Sequence, residues 1–177
     1  NEVNSPLQVE HCVSELATNV DIVKEQIKFA AGEPLSYVQD DINLSSPSIE
    51  CRITAEDASR NFSPYPGTIT ELRFAHGLGV RIDEGVYEGY EVPWYYDPLL
   101  LKLMVRGKTR DEAISRLKRA LDEMRIEGIE TSILFHQVAL EDETFKSGEY
   151  TTDFLVRRNI IQKVQERARI LGRLQNP

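Results

Sequence analysis

The hydrophobic pattern changes period several times along the chain. From Ser48 to Ala55, Ile49, Cys51 and Ile53 alternate with Glu50, Arg52 and Thr54, which predicts a half-buried strand with Arg52 turned away from the core, toward solvent or a cleft. Leu99 to Arg106 is almost wholly apolar and reads as a buried strand, ended by Gly107. Thr68–Phe74 and Val80–Asp83 flank the glycine-containing turn Ala75–Gly79 and read as the two arms of a hairpin. Ile126–Ile129 is a further short strand.

Elsewhere the spacing is helical. Val13, Leu16 and Ala17 share one face of a helix opening at Glu10 or His11. Ile22, Val23, Ile27 and Ala30 follow the capping candidates Asn19 and Asp21, and Gly32 closes that helix. Thr109 and Glu112 have capping-box spacing ahead of Ile114, Leu117, Leu121 and Met124. Thr131 is the capping candidate for a further helix with Leu134, Phe135, Val138 and Ala139, and Glu141–Glu149 is an acidic stretch ending in a turn. The tail from Arg157 to Leu174 is a basic amphipathic helix, expected to pack locally or to form a subunit contact. Residues 40–47 and 58–67 are turn-rich loops, and Tyr87, Tyr90 and Trp94 lie in an aromatic turn region expected to serve core or interface packing, with a stacking platform as the alternative. The pattern predicts an α+β protein, a mostly antiparallel sheet with helices packed on it.

Composition narrows the function classes. The 177 residues suffice for one good-sized domain with its own core. Hydrophobic content of 41% and charged content of 28% are ordinary for a globular chain. A net charge of −8 argues against nucleic acid as the main partner, since phosphate binding needs a dense basic surface. No apolar run is long enough for a membrane span. Cys12 and Cys51 are expected to be reduced and packed, which points to a cytoplasmic setting, and neither has metal-site spacing. The first residue is Asn, so the sequence is silent on targeting.

The candidate chemistry lies at the start. Glu2, Asn4, Gln8 and Glu10 put oxygen-bearing side chains at alternate positions. In an extended backbone Glu2 and Asn4 point to one face and could share a hard cation, with Gln8 and Glu10 reaching a substrate beyond it. The alternative is a solvated polar strand edge. His11, His76 and His136 are scattered and read as structural or surface residues; Glu15, Asp21 and Glu25 read as a solvated helix face.

Glu2-Val3-Asn4 followed by Leu7-Gln8-Val9-Glu10-His11 resembles the active-site segment of biotin carboxylases, the ATP-grasp component of biotin-dependent carboxylases. The likeness runs on through Glu50–Asp57, Ser63–Gly67, Tyr95–Leu99, Arg110–Ala113 and Ile126–Thr131. It implies that residues 1–45 close an ATP-grasp domain, that 46–156 form the biotin carboxylase C-terminal domain, and that 157–177 are a helical tail. The implied reaction uses ATP and bicarbonate, through carboxyphosphate, to carboxylate biotin on its carrier domain. By matching position, Glu2 and Asn4 would bind Mg2+ (or Mn2+), and Gln8 and the Val9 backbone would contact bicarbonate. Glu10 would be the general base, and Arg52 would stabilise the biotin enolate. Arg81 would lie near a homodimer contact, and a carboxyltransferase subunit or domain would be a further partner. The ATP-holding part would precede Asn1, so these residues alone are expected to be inactive.

One position departs from the family pattern: Asn4-Ser5-Pro6 stands where Asn-Thr-Arg is usual; the resemblance implies that this arginine holds bicarbonate by two parallel hydrogen bonds, and proline offers neither charge nor donor. An impaired homologue is therefore one alternative, and a dimerisation or docking module another. A carbamoyl-phosphate type of ATP-grasp ligase is disfavoured by Cys51-Arg52-Ile53 and Tyr95-Tyr96-Asp97.

Overall fold

The computed structural model describes residues 6–175. In chain order the elements are α1 (His11–Thr18), α2 (Ile22–Ala30), β1 (Ser48–Thr54), β2 (Glu56–Asp57), β3 (Ser63–Pro64), β4 (Gly67–Thr68), β5 (Glu71–Arg73), β6 (Val80–Glu84), β7 (Glu91–Val92) and β8 (Leu99–Arg106). Then follow α3 (Arg110–Glu123), β9 (Arg125–Glu127), α4 (Ile133–Glu141), α5 (Glu143–Ser147), α6 (Phe154–Arg157) and α7 (Ile160–Gln175).

The main sheet has the order β1-β8-β6 and is antiparallel throughout. β8 sits in the middle because its side chains are apolar on both faces. Leu101, Leu103 and Val105 join Cys51 and Ile53 of β1 and pack against Ala113, Leu117, Ala120 and Leu121 of α3. The helical spacing read from the sequence is thus the core-facing stripe of α3. Thr109 caps that helix by accepting the Glu112 N–H at 3.2 Å. The Glu112 side chain closes the cap one residue earlier than expected, accepting the Lys108 N–H at 2.9 Å. The opposite face of β1 and β8 is covered by α1. There Lys102 stands directly across the ladder from Arg52.

The hairpin expected over residues 68–83 does not form. β4 pairs with β7, β5 with β9, and β6 with β8. Alternation specifies a strand but not its partner, and Phe74 and Ala75, read as the end of one arm and the start of the turn, are drawn into the main core instead. The Gly77–Gly79 segment leads directly into β6. Gly79 has φ of +73° and lies so close to the Arg106 carbonyl that a Cβ would approach it to 2.9 Å.

Two further readings change. Ser132, not Thr131, stands at the start of α4, and its hydroxyl serves β1 rather than the helix end. The solvated face expected of Glu15 and Glu25 is occupied. Glu25 is buried and accepts the Ser36 N–H, while Glu15 accepts the Ile22 N–H and the Arg81 guanidinium. Tyr90 packs on the second core cluster, but Tyr87 and Trp94 are exposed.

The tail packs locally. Ile160 and Val164 of α7 are fully buried against Val138 and Ala139 of α4, Ala58 and Phe154. Asp142 joins these layers. It caps α5 through the Thr144 N–H and accepts from Arg158 and from Lys163 of α7. Asp21 caps α2 as one of the two residues expected to do so. The apolar side of α2 is turned outward: Ile27 is 66% exposed and Phe29 68%. It borders a groove of about 670 Å³ lined by Val20, Ile22, Phe29, Leu35 and Val38.

Candidate functional site: the Gln8–Glu10 segment and Arg52

The chain enters α1 through a turn, and Gln8, Val9 and Glu10 occupy that entry. The Gln8 carbonyl accepts two hydrogen bonds from His11, one from its backbone N–H at 3.2 Å and one from ring Nδ1 at 2.8 Å. The Val9 carbonyl accepts from Lys102 Nζ at 3.1 Å. The Glu10 carboxylate accepts from Arg52 Nη2 at 2.6 Å. Three consecutive residues are therefore fixed by three different partners, two of them on the main sheet. Glu2 and Asn4, the expected metal ligands, lie outside the described residues.

Arg52 is aimed outward by the period-two pattern of β1, as its sequence position predicts. Its own carbonyl is held from behind by the Ser132 hydroxyl at 3.1 Å and by His136 Nε2 at 2.9 Å. These two donors come from α4 and its entry, about 80 residues further along, and no local signal in the sequence marks them. Sequence reasoning misses Lys102 as well, although a signal is present there: it is a lone cation in the apolar run Leu99–Val105.

The electrostatics suit a persistent carboxylate. The Glu10 backbone N–H, more than the Arg52 guanidinium, holds the Glu10 carboxyl below its ordinary value. Beneath the segment, burial works against the Lys102 ammonium. Contact with Cys12 and the nearby Asp83 and Glu50 carboxylates outweighs that, so Lys102 stays charged. Asp83 is held at about 2, mainly by Arg81, which donates from Nε at 2.8 Å. Glu50 is pushed up by burial, against the pull of Lys102 and Arg52, and among the described residues its carboxylate has no hydrogen-bond partner.

Both cysteines are free and buried, as expected. Burial pushes Cys51 to about 12, so it is an inert core thiol. His11, Cys12 and Glu15, at i,i+4 and i,i+3 spacing on α1, bring donor atoms within 4.8 Å of one another. Lys102 at 3.0 Å and Arg81 at 3.5 Å already face the Cys12 sulfur, so the cluster works as a hydrogen-bonded junction between α1 and the sheet.

Arg81 itself bridges Glu15 of α1 and Asp83 within the chain. No helix among the described residues is long and apolar enough to cross a membrane.

Comparison with known proteins bears on this geometry. Residues 50–157 match the biotin carboxylase C-terminal domain, and residues 1–38 match the ATP-binding domain of the carbamoyl-phosphate synthase L chain. The chain is 54% identical over 154 residues to biotin carboxylase 1 of Bacillus subtilis (strain 168), covering 87% of this chain and 34% of that protein. It is 46% identical over 157 residues to the biotin carboxylase of Haemophilus influenzae, covering 89% of this chain and 35% of that protein. Among solved structures, the biotin carboxylase domain dimer of Hydrogenobacter thermophilus 2-oxoglutarate carboxylase, in complex with MgADP, ADP and bicarbonate, aligns with a TM-score of 0.87 at 41% identity. That alignment covers 89% of this chain and 35% of the other. The chain thus spans about a third of the length of these relatives. The domain match extends over more than half of the sequence and takes in the strand that carries Arg52, and on that ground the chain belongs to the biotin carboxylase family.

Proposed function

We propose that this chain carries the base-bearing and biotin-facing part of a biotin carboxylase, whose nucleotide pocket lies in residues that precede it in the longer protein. The observation that carries the reading is the 2.6 Å contact between Arg52 and Glu10, which joins segments 42 residues apart at the end of the Gln8–Glu10 turn. In this reading Gln8 and the Val9 backbone orient bicarbonate, and Glu10 takes its proton. The lowered pKa of Glu10 keeps the carboxylate ready to do so at neutral pH. Arg52 is permanently charged and half exposed, free to stabilise negative charge developing on the ureido oxygen of carrier-bound biotin.

Glu2 and Asn4 offer carboxylate and amide oxygens, which fit a hard divalent cation. Magnesium bound there would screen the phosphate charge of ATP. Residues 1–45 belong, in this proposal, to the ATP-grasp unit, 46–156 to the C-terminal domain and 157–177 to a helical tail. The outward apolar residues of α2 and the segment after it support that division, since Ile27, Phe29, Leu35, Val38 and Leu44 are all exposed here and are suited to packing on the rest of such a unit. The partners are a biotin carboxyl carrier domain and a carboxyltransferase, in a cytoplasmic enzyme. A homodimer is supported by the 86% exposed Leu78, close to the half-buried Arg81.

Pro6 bears on the same site. A missing charged hydrogen bond in a closed site costs about 1.5–3 kcal/mol, so bicarbonate binding leans more heavily on Gln8, Val9 and Arg52. The test of the whole reading is ATP turnover by the full-length protein with and without bicarbonate. Stimulation by bicarbonate that is lost in Glu10→Gln is expected; turnover indifferent to bicarbonate would overturn it. The 177 residues alone are expected to show none.

A further inference from the structure

We propose that Lys102 is a positioning residue for bicarbonate, acting through the main chain of the Gln8–Glu10 turn. The inference rests on the assignment of that turn to bicarbonate. The Val9 carbonyl and the Glu10 N–H belong to one planar peptide and point in opposite directions. Lys102 Nζ donates to that carbonyl at 3.1 Å, so it sets where the Glu10 N–H points. The Glu10 backbone N–H is also the main influence that lowers the pKa of the Glu10 carboxyl. His11 does the same for the preceding peptide by donating to the Gln8 carbonyl, which fixes the direction of the Val9 N–H.

Lys102 is itself built in. It projects from the central strand β8, with its side chain 14% exposed. Its ammonium also meets Cys12 Sγ at 3.0 Å and lies 3.6 Å from Asp83. Cys12 in turn donates to Asp83 at 3.1 Å. An ammonium has three donors, and these neighbours hold it in one direction. An ammonium of that burial must be partnered, and of its contacts the Val9 carbonyl is the one in the turn beside the proposed base. The charged groups around this peptide are Glu50 and Arg52 on β1, Lys102 on β8, Arg81 and Asp83 on β6, and His11 and Glu15 on α1.

The test compares full-length wild type with Lys102→Met, using bicarbonate and ATP as the varied substrates. The variant is expected to raise KM for bicarbonate about tenfold while KM for ATP changes less than about twofold. The acid limb of kcat/KM for bicarbonate should move to higher pH, because the Glu10 N–H that lowers the carboxyl pKa is no longer held in place. Lys102→Arg, which keeps the donor, should restore most of the bicarbonate affinity. Should Lys102→Met fail to fold, Lys102→Gln, whose shorter amide falls short of the carbonyl, carries the same expectations. Wild type active with bicarbonate, but a folded variant with unchanged bicarbonate KM and acid limb, would overturn the role of Lys102 alone. Wild type with no bicarbonate-dependent turnover would overturn the assignment of the turn, and this role with it.

Discussion

Arg52 and Lys102 face each other across the β1–β8 ladder, yet their charged ends diverge to consecutive residues of the same turn. One reaches the Glu10 carboxylate at 2.6 Å, the other the Val9 carbonyl at 3.1 Å. Two adjacent cations on one sheet face would repel unless each had its own acceptor. The turn supplies both, so the sheet and the entry to α1 fix one another.

The Arg52–Glu10 pair is about half exposed, with 51% and 47% of the side chains accessible. Such pairs contribute about 0–1 kcal/mol to stability. Glu10→Gln should therefore unfold at nearly the wild-type urea midpoint while losing turnover at least about 100-fold. A midpoint shift large enough to account for the lost activity would show that the pair is structural.

Asp142 gives the opposite case. Burial alone would raise its carboxyl, but Lys163, the Thr144 N–H and Arg158 together hold it at about 2. Its folded value lies below the ordinary carboxylate value of 3.8, so the stabilisation is present above about pH 4 and is lost as pH falls toward 2. Asp142→Asn should cost about 1–3 kcal/mol at neutral pH. It should also flatten the acid limb of stability, as followed by thermal melts across pH.

Leu103 is fully buried at the centre of β8 against α3. Leu103→Ala should cost about 2–5 kcal/mol in chemical unfolding, through lost burial and the cavity left behind. A loss under about 1 kcal/mol would contradict the placement of the main core.

Gly128 has φ of +93°, and a Cβ there would come within 2.2 Å of the Thr68 carbonyl. Gly128→Ala should destabilise by more than the ~1 kcal/mol typical of left-handed strain, because the backbone of β4 must also give way. Thermal melts of the variant measure it.

Pro6→Arg should lower KM for bicarbonate in the full-length protein by at least about tenfold, the effect of recovering the arginine's charged hydrogen bonds. Equal constants in the two proteins would show that the turn and Arg52 already suffice.

The strand β1 and the helices α1, α2, α3 and α7 are legible in the sequence because each carries its own period, from Ile49–Ile53 to Ile160–Val164, and β8 because it is a short apolar run closed by Gly107. Pairing is not legible. β5 and β6 are separated by a turn that looks like a hairpin, but their partners, β9 and β8, lie far along the chain, and a strand's pattern does not encode distance. The pairing of Glu10 with Arg52 follows from family likeness, since nothing in either local pattern links residues 42 apart. Lys102 could be noticed as the single charge in Leu99–Val105. The support of Arg52 by Ser132 and His136 could not, because those contacts exist only once α4 docks on β1. The fate of Glu15 is hidden for the same reason. On α1 it reads as a surface acid, and only the sheet brings Arg81 to it.

Transfer of label from 14C-bicarbonate to biotin by the full-length protein, with ATP, addresses the proposed chemistry most directly. Wild type should label biotin, and Glu10→Gln, folded and of unchanged melting temperature, should label it at least about 100-fold more slowly. Labelling by Glu10→Gln within about twofold of wild type would contradict the assignment of Glu10 as the base.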